Sequence, residues 1–368
     1  MAWLRASQAL TKMPELLLKS RVTFDFDGVP QIAERLSIQK KANLIRVGID
    51  TMLGSSRAHG LPPIIQVEPT NVCNLACPLC PTGQGTLERP KGFMSVETFQ
   101  RILDDLGDIL VAVHLYSWGE PFLNEDLPNM IEMCTNHNIC TLTSTNGHFL
   151  QRLDEALKVV DAGLKTLIIA IDGSTQEIYQ SYRKGGDLEK VRRCTANIEE
   201  AKALRGSRFP FTALRSVVTR DNQNDLTNLE RLASDLGADM FTCKTLGCLP
   251  CSGVFKEYEP TDGNYLRFEY AGSSRIGRPL IQCPFPFRQP TIFWDGTVVG
   301  CEYDYNLTAG WGNIATQHFT EIWNSPQAIK LRHSIRECRD RPSFCSPCPY
   351  QDRAQDFVEL YCKELKNQ

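Results

Sequence analysis

Short β-rich runs and helical patterns take turns along the middle of this chain, and that alternation restricts its fold more than any other feature. The runs are Ile64–Val67, Val111–Tyr116, Ile139–Ser144, Thr166–Ile171, Phe211–Val218 and Asp239–Lys244. Between them, apolar residues recur with helical spacing at Val96–Leu106, Leu127–Asn136, Leu150–Val160, Leu188–Leu204 and Leu226–Leu236. Parallel neighbours need a crossover of a dozen or more residues, usually a helix, so this alternation implies an α/β unit with a parallel sheet. Six such strands curl into a partial (β/α)6 TIM-like barrel, whose functional groups gather at the C-terminal ends of the strands. No internal repeat or low-complexity tract interrupts the pattern.

The flanks read differently. Residues 1–62 form a mainly helical N-terminal extension. Trp3, Ala6, Leu10, Met13 and Leu17 recur at three- and four-residue steps, with Arg5, Lys12 and Lys19 between them. A stripe of this kind usually docks onto the body of its own protein; with basic neighbours, a membrane surface is the other resting place. Thr23–Phe26 alternates like a strand, Asp27-Gly28 reads as a turn, and Ile32–Met52 carries a helical pattern. Residues 63–248 hold the barrel. Residues 249–368 form a small C-terminal auxiliary domain, dense in Pro, Gly and aromatics from Leu249 to Pro290, with a hairpin turning at Asp295-Gly296 between Thr291–Trp294 and Thr297–Val299. So few regular elements are expected there that a metal staple is the natural support.

Charge and composition remove several function classes. Forty Lys+Arg against 43 Asp+Glu leave a net charge of −3, no field for gripping nucleic acid. No apolar run approaches the roughly 18 residues of a membrane span, and Pro14-Glu15 break any signal-peptide core. A cytoplasmic protein with no nucleic-acid partner and no membrane span is expected. Fifteen cysteines in a chain of 368 residues without an export signal then point to reduced thiols and metal ligands, not to a disulfide framework.

The spacing of those cysteines sharpens the chemistry. Cys73, Cys77 and Cys80 lie in one loop, Cys-Asn-Leu-Ala-Cys-Pro-Leu-Cys, just past the first barrel strand. Three thiolates so placed can cup one face of an iron–sulfur cube, leaving the fourth iron open as a reaction site. A zinc loop or buried thiols are the alternatives; zinc requires a fourth nearby ligand, and the loop has none.

This loop resembles the hallmark of the radical SAM enzymes, and the resemblance covers about Ile64 to Lys244. It implies a [4Fe–4S] cluster whose open iron chelates the amino and carboxylate groups of S-adenosylmethionine, and one-electron cleavage to methionine and a 5′-deoxyadenosyl radical. Leu79 departs from the pattern, standing where many members carry an aromatic residue beside the adenine. Trp118-Gly119-Glu120-Pro121, after the second strand, is similar to the family's Gly-Gly-Glu-Pro motif, with Trp118 in place of the first glycine. The resemblance implies that Gly119 and Glu120 bind the SAM amino group. Ser144-Thr145-Asn146-Gly147 and Asp172-Gly173 end the third and fourth strands, where the family makes further SAM contacts through positions matching Ser144, Asn146 and Asp172. Arg183, in Tyr182-Arg183-Lys184-Gly185, matches an arginine that related enzymes place on the SAM carboxylate. Ordinary turns and a solvated basic loop remain the alternatives for these strand ends.

A second cysteine set lies near the C-terminus. Cys283 is followed by twelve residues, Gly296, four residues and Cys301, and later by Cys345-Ser346-Pro347-Cys348. This resembles the SPASM domains and their shorter twitch form, which implies an auxiliary [4Fe–4S] cluster on Cys283, Cys301, Cys345 and Cys348. The longer form continues with two further cysteines, where this chain has Ala354 and Val358, so one auxiliary cluster is expected; a structural zinc suits the same thiolates. Roles for Cys338, Cys362 and the pair Cys248 and Cys251 stay open, between metal ligand, hydrogen-atom donor and idle thiol. Cys134, Cys140, Cys194 and Cys243 read as core, and His114 as a packed strand residue.

The expected function is a radical SAM oxidoreductase. The auxiliary cluster, with no open iron, accepts an electron, and no catalytic side chain is assigned. The substrate expected is a small polar metabolite of sugar or aminocyclitol type, because the prefix looks too short and too helical for a leader-peptide-binding domain. A flavodoxin or ferredoxin is the expected electron donor. Peptide or protein modification, a redox-neutral epimerase using a thiol such as Cys248 or Cys251, and a non-catalytic iron–sulfur or zinc protein are the alternatives. Molybdenum-cofactor cyclisation is disfavoured, since the sequence ends Glu364-Leu365-Lys366-Asn367-Gln368 without Gly-Gly.

Overall fold

Hydrogen bonds between successive strands confirm the alternation as a parallel sheet. The computed structural model describes residues 14–247, 254–272, 274–276, 283–345, 348 and 361–365, without the side chains of 274, 275, 361 and 362. Cys248, Cys251, Ala354 and Val358 lie outside the described residues. Two strands of the prefix come first, β1 (Val22–Phe26) and β2 (Val29–Ala33). The barrel strands follow: β3 (Ile64–Val67), β4 (Ala112–Leu115), β5 (Cys140–Thr145), β6 (Thr166–Ala170), β7 (Phe211–Val218) and β8 (Met240–Thr245). Each barrel strand pairs parallel with the next, from Ile64↔Ala112 through Val218↔Thr245.

Strand alternation divides the barrel residues by face. Val113, Leu115, Leu167, Ile169, Leu214 and Phe241 join the core beneath the surrounding helices. Leu142, Ile168, Ala213 and Met240 form a separate cluster with Val29, on the other face of the strands. The helices that cover the outside include Val96–Leu106, Leu127–Asn136, Leu153–Asp161 and Leu188–Arg205, each lying within two or three residues of its expected span.

Within the described prefix, a two-stranded hairpin lies between the helical stretches 14–19 and Ile38–Leu53. β1 and β2 pair antiparallel around Asp27-Gly28, both at positive φ, 51° and 73°. That is the geometry a two-residue hairpin turn requires. Ile32 therefore belongs to a strand, and the helix begins only at Ile38, after Ser37 caps it by accepting the Lys40 N–H. The hairpin packs on the inner faces of the barrel strands: Val29 is completely buried, and Phe26 meets the His114 ring edge-on at 4.7 Å. His114, buried as expected, bonds through its ring nitrogens to Gln31 and Gln289. Burial pushes its pKa down to about 4, so it stays neutral.

The C-terminal region extends the same sheet. After the small ladder of β9 (Tyr270–Ala271) and β10 (Ser274–Arg275) come β11 (Thr291–Ile292), β12 (Thr297–Val299) and β13 (Gly312–Asn313). β11 lies parallel to β3, whereas β14 (Tyr361–Glu364) runs antiparallel to β8 at the opposite edge. The order is β13-β12-β11-β3-β4-β5-β6-β7-β8-β14. The region is also richer in helix than expected, with Phe319–Trp323 and Pro326–Arg336. Their completely buried Phe319, Ile322 and Trp323 pack beside Trp311, so metal is not its only support. Arg332, also buried, sits 4.1 Å from the Trp323 ring and donates to Pro286 O at 2.8 Å.

Candidate active site

The cysteine loop leaves β3 and runs into a short helix, Pro81–Gln84, for which Cys80 is the N-terminal cap. It is pinned from outside by Ala76 N–H to Lys184 O at 3.0 Å and from within by Cys80 N–H to Cys77 O at 3.2 Å. Gly83 permits the helix to fold back on the loop, since a Cβ there would stand 2.4 Å from Cys77 O. Cys73, Cys77 and Cys80 are not disulfide-bonded. Burial pushes the Cys73 thiol up to about 11 and raises Cys77, with neighbouring cysteines adding to both. Ligation there must displace protons.

Donors converge on the sulfurs. Leu75 N–H lies 3.5 Å and Asn146 Nδ2 3.8 Å from Cys73 Sγ, and Arg183 Nη1 is 3.8 Å from Cys77 Sγ. These are contacts that favour anionic sulfur. Asn146 also donates to Asn74 Oδ1 at 2.8 Å, joining the third strand end to the cysteine loop.

Glu120 stands behind this loop with 2% of its surface exposed. Its carboxylate accepts the Asn146 N–H at 2.7 Å, the Thr145 hydroxyl at 2.8 Å and the Phe122 N–H at 3.2 Å. Burial nevertheless dominates and pushes its pKa up to about 7, a carboxyl poised for a cationic partner. Gly119 is required by close approach, because a Cβ would lie 2.2 Å from Thr70 O. The neighbouring Ser117 hydroxyl is buried with no hydrogen-bond partner. Trp118 turns away toward the auxiliary region, where its indole N–H donates to Glu302 O at 2.8 Å and its ring meets Tyr303 and Tyr305 edge-on.

Asp172 is already committed to the protein. It binds Arg183 Nε and accepts Val217 N–H at 2.7 Å. Arg183 is thereby aimed at Cys77. Ser144 instead faces a lumen cavity of about 170 Å³, shared with Tyr116, Arg183, Arg215, Lys244 and, from the hairpin, Phe26 and Asp27. Within it the Asp27 carboxylate lies 3.5 Å from Arg215 and 3.4 Å from Lys244. Glu302, outside the cavity lining but sensing Lys244 and Asp27, is raised by burial and accepts Gln66 Nε2 at 2.6 Å.

In the auxiliary region, Cys283, Cys301, Cys345 and Cys348 lie close enough to influence one another electrostatically, Cys283 and Cys301 each sensing Cys348 and Cys345 sensing it in turn. Burial is the main cause that pushes Cys283 and Cys345 up to about 12. Cys338 turns to other partners, Ile335 O at 3.6 Å and Arg341 Nη2 at 3.4 Å. Among the described residues, no three His, Cys, Asp or Glu side chains close on the position of one metal ion.

Family comparisons cover both cysteine regions. Residues 67–229 match the radical SAM superfamily, and residues 283–349 match the SPASM model, an iron–sulfur cluster-binding domain. The AdoMet-dependent heme synthase of Methanosarcina barkeri is 30% identical over 325 residues, 79% of this chain and 89% of the relative. This chain is a radical SAM enzyme with a SPASM domain. Another relative, the mycofactocin maturase of Mycobacterium ulcerans, is 28% identical over 55% of this chain and 53% of its own length. Among solved structures, Streptococcus suis SuiB bound to S-adenosylmethionine superposes with a TM-score of 0.60 at 13% identity, covering 84% of this chain and 75% of that one.

As a radical SAM enzyme it uses a [4Fe–4S] cluster and S-adenosylmethionine, and its SPASM domain implies auxiliary iron–sulfur binding. Sequence reasoning missed Thr145, which holds Glu120, and the charged lumen set Asp27, Arg215 and Lys244. Arg215 and Lys244 did leave a signal, being cations inside otherwise apolar strand runs; Asp27 left only a turn. Cys134, Cys140, Cys194 and Cys243 are buried core residues, as expected.

Proposed function

We propose that this radical SAM enzyme oxidises a small polar substrate held in the barrel lumen. The observation that carries this reading is the cavity itself. At about 170 Å³ it suits a compact molecule, and its Ser144, Tyr116, Arg215 and Lys244 offer hydrogen bonds to hydroxyl, amino or acidic groups. The N-terminal hairpin contributes Phe26 and Asp27 to the lining, so the barrel interior is partly filled by the chain's own prefix. A sugar or aminocyclitol is the class we favour.

In this proposal Cys73, Cys77 and Cys80 ligate the first cluster, and Cys283, Cys301, Cys345 and Cys348 the auxiliary one. Gly119 and Glu120 bind the SAM amino group, while Asn146 and Arg183 steady the cluster thiolates. Ser144 and the Asp172-anchored Arg183 line the lumen cavity, where they would meet the bound molecules. When bound, the clusters and SAM would supply the redox chemistry: one electron would cleave SAM to methionine and a 5′-deoxyadenosyl radical able to take a substrate hydrogen atom, and the substrate would then lose one proton to solvent and one electron through the auxiliary site. The protein's part is to orient the substrate and exclude water. A flavodoxin or ferredoxin donates the first electron, in the reducing cytoplasm that free thiols require.

Peptide modification is the second reading. The mycofactocin maturase and the PqqA peptide cyclase of Rhodopseudomonas palustris favour it by name, although the chain spans only about half the length of each. The heme synthase, matched over 89% of its length, has a non-peptide product by name and adds nothing to the peptide reading. The test is anaerobic reconstitution with SAM, reductant and panels of deuterated metabolites and peptides. Deuterium transfer into 5′-deoxyadenosine from a polyol or amino sugar supports the proposal; transfer from peptides alone overturns it.

A further inference from the structure

The helix Ile38–Leu53 is amphipathic in the wrong direction for a core helix. Its buried face presents Lys40, Asn43, Val47 and Asp50. Lys40 Nζ donates to His137 O at 2.8 Å and Asn138 O at 3.1 Å; Asn43 exchanges hydrogen bonds with Leu61 N and O; Asp50 accepts the His59 and Gly60 N–H groups. These bonds fix the rotation of the helix. The apolar side is consequently turned to solvent: Ile38 is 83% exposed, Met52 74% and Leu53 70%, with Ile45 and Ile49 also exposed. At 3.6 residues per turn these five fall within an arc of about 100°.

The stripe continues beyond the helix. Leu17 and Leu18 are exposed on the preceding segment, which is tied to the start of the helix by Lys41 Nζ to Ser20 Oγ at 2.9 Å and Leu36 N–H to Ser20 O at 2.9 Å. The sequence ahead of Pro14 repeats the pattern, with Trp3, Leu10 and Met13 interleaved by Arg5 and Lys12. Charge around the patch is one-sided. Lys41 and Arg46 flank the stripe on its two sides, Lys19 and Arg35 lie near its start, and the helix's sole carboxylate, Asp50, is buried. The nearby acids Glu15 and Glu34 are drawn to Arg21.

We infer that this face docks on an anionic lipid bilayer, lying in the interface without crossing it. An aliphatic stripe bordered by cations has the composition of an interfacial helix on acidic headgroups. A second copy of the chain fits less well, because two-fold pairing would bring one cationic border against another without acidic partners. Protein hot spots also favour Trp, Tyr and Arg in pockets, and the helical stripe is entirely aliphatic. The helix packs on the start of the barrel, near Leu61 and His137, whereas the cysteine loop follows the end of β3. Docking therefore leaves the catalytic mouth open.

The test is co-sedimentation of the full-length protein with vesicles of phosphatidylcholine alone and of phosphatidylcholine with phosphatidylglycerol in equal parts. Binding is expected only to the anionic vesicles, weakening as salt rises. The triple variant Ile45→Gln, Ile49→Gln, Met52→Gln should lose at least about tenfold in partitioning, with SAM cleavage in solution unchanged. Should the triple variant fail to fold, Met52→Gln alone, at an exposed site, should show a smaller loss. Absence of wild-type binding, or undiminished binding by a folded variant, overturns the inference. So does a lipid-free wild-type dimer that the triple variant converts to monomer, which assigns the face to a second copy.

Discussion

Asp27, at the tip of the N-terminal hairpin, and Lys244, in β8, approach to 3.4 Å inside the barrel although 217 residues separate them in sequence. Arg215 shares the same carboxylate and also donates to the Asp27 backbone carbonyl at 2.8 Å. The prefix is thus bound to the lumen by charge as well as by Val29 and Phe26. Burial opposes the Asp27 charge, but the two cations more than offset it and hold the carboxyl below its usual range.

Asp27→Asn should therefore destabilise the folded protein by about 3 kcal/mol at neutral pH, since it leaves Arg215 and Lys244 without their anion. The sign of the pH dependence follows. A depressed native pKa contributes stability that is fully present above the unfolded value, about 3.9, and is lost as pH falls through the native value. Denaturation curves of wild type and variant should differ most near pH 7 and converge in acid. A constant difference across that range would remove the charge explanation.

Glu120 supplies the opposite case. Burial raises its carboxyl to about 7 despite three hydrogen bonds to it. The native state prefers the protonated form, so this group's contribution to stability is full below the unfolded value near 4.3 and is lost as pH rises through 7. A SAM amino group held on the open iron would donate N–H bonds to the carboxylate and favour its ionised form. SAM affinity should accordingly improve from pH 6 to 8 and level above it, with a proton released on binding. Glu120→Gln should weaken SAM by about 1.5–3 kcal/mol and abolish that slope, measured by calorimetry on protein holding both clusters. Equal affinity in the variant would take Glu120 out of the SAM site.

What the sequence reveals here is mostly what short stretches of chain determine. Cys73, Cys77 and Cys80 are bound to share a loop by spacing alone, and Glu120 follows its strand directly. The barrel strands announce themselves because each apolar run lies between helices with their own period. The hairpin was harder: Ile32 fits a helical pattern locally, and only its pairing across to Thr23 makes it a strand. Likewise Ser325-Pro326 begins a helix with the usual cap and first-turn proline, a signal overlooked amid the loops around it. Trp118 reads as a lost glycine until Glu302, far along the chain, accepts its indole N–H. Contacts of that kind depend on tertiary closure and leave no local period to read.

Metal content tests the division into two thiol sets. Cys73, Cys77 and Cys80 lie in the barrel loop, whereas Cys283, Cys301, Cys345 and Cys348 influence one another in the auxiliary region. Anaerobic reconstitution should give two clusters, and replacing the three barrel cysteines with Ala should leave one, counted by iron and sulfide analysis with Mössbauer spectra. Loss of all iron from that variant would show that the sets are not independent. Zinc alone in the wild type would reverse the assignment.

The auxiliary site should matter for turnover and not for SAM cleavage. Glu120, proposed to bind SAM, and Asn146 and Arg183, proposed to steady the cluster thiolates, gather at the barrel cysteines and are remote in sequence from Cys345 and Cys348. Four thiolates on an auxiliary cluster leave no iron vacant for SAM or substrate. Cys345→Ala with Cys348→Ala should therefore keep reductive formation of 5′-deoxyadenosine while suppressing oxidised product. Folding is the first control, because metal can support the local structure. Here the buried Phe319, Ile322 and Trp323 core gives the region a second support, and an unchanged circular dichroism spectrum is expected. The barrel cluster's electron paramagnetic resonance signal, with and without SAM, is the second control. If both hold and the double variant still forms oxidised product at the wild-type rate, the electron leaves by another route. If the product proves isomeric with the substrate, the reaction is redox-neutral, and a hydrogen-atom donor must be sought among the remaining thiols.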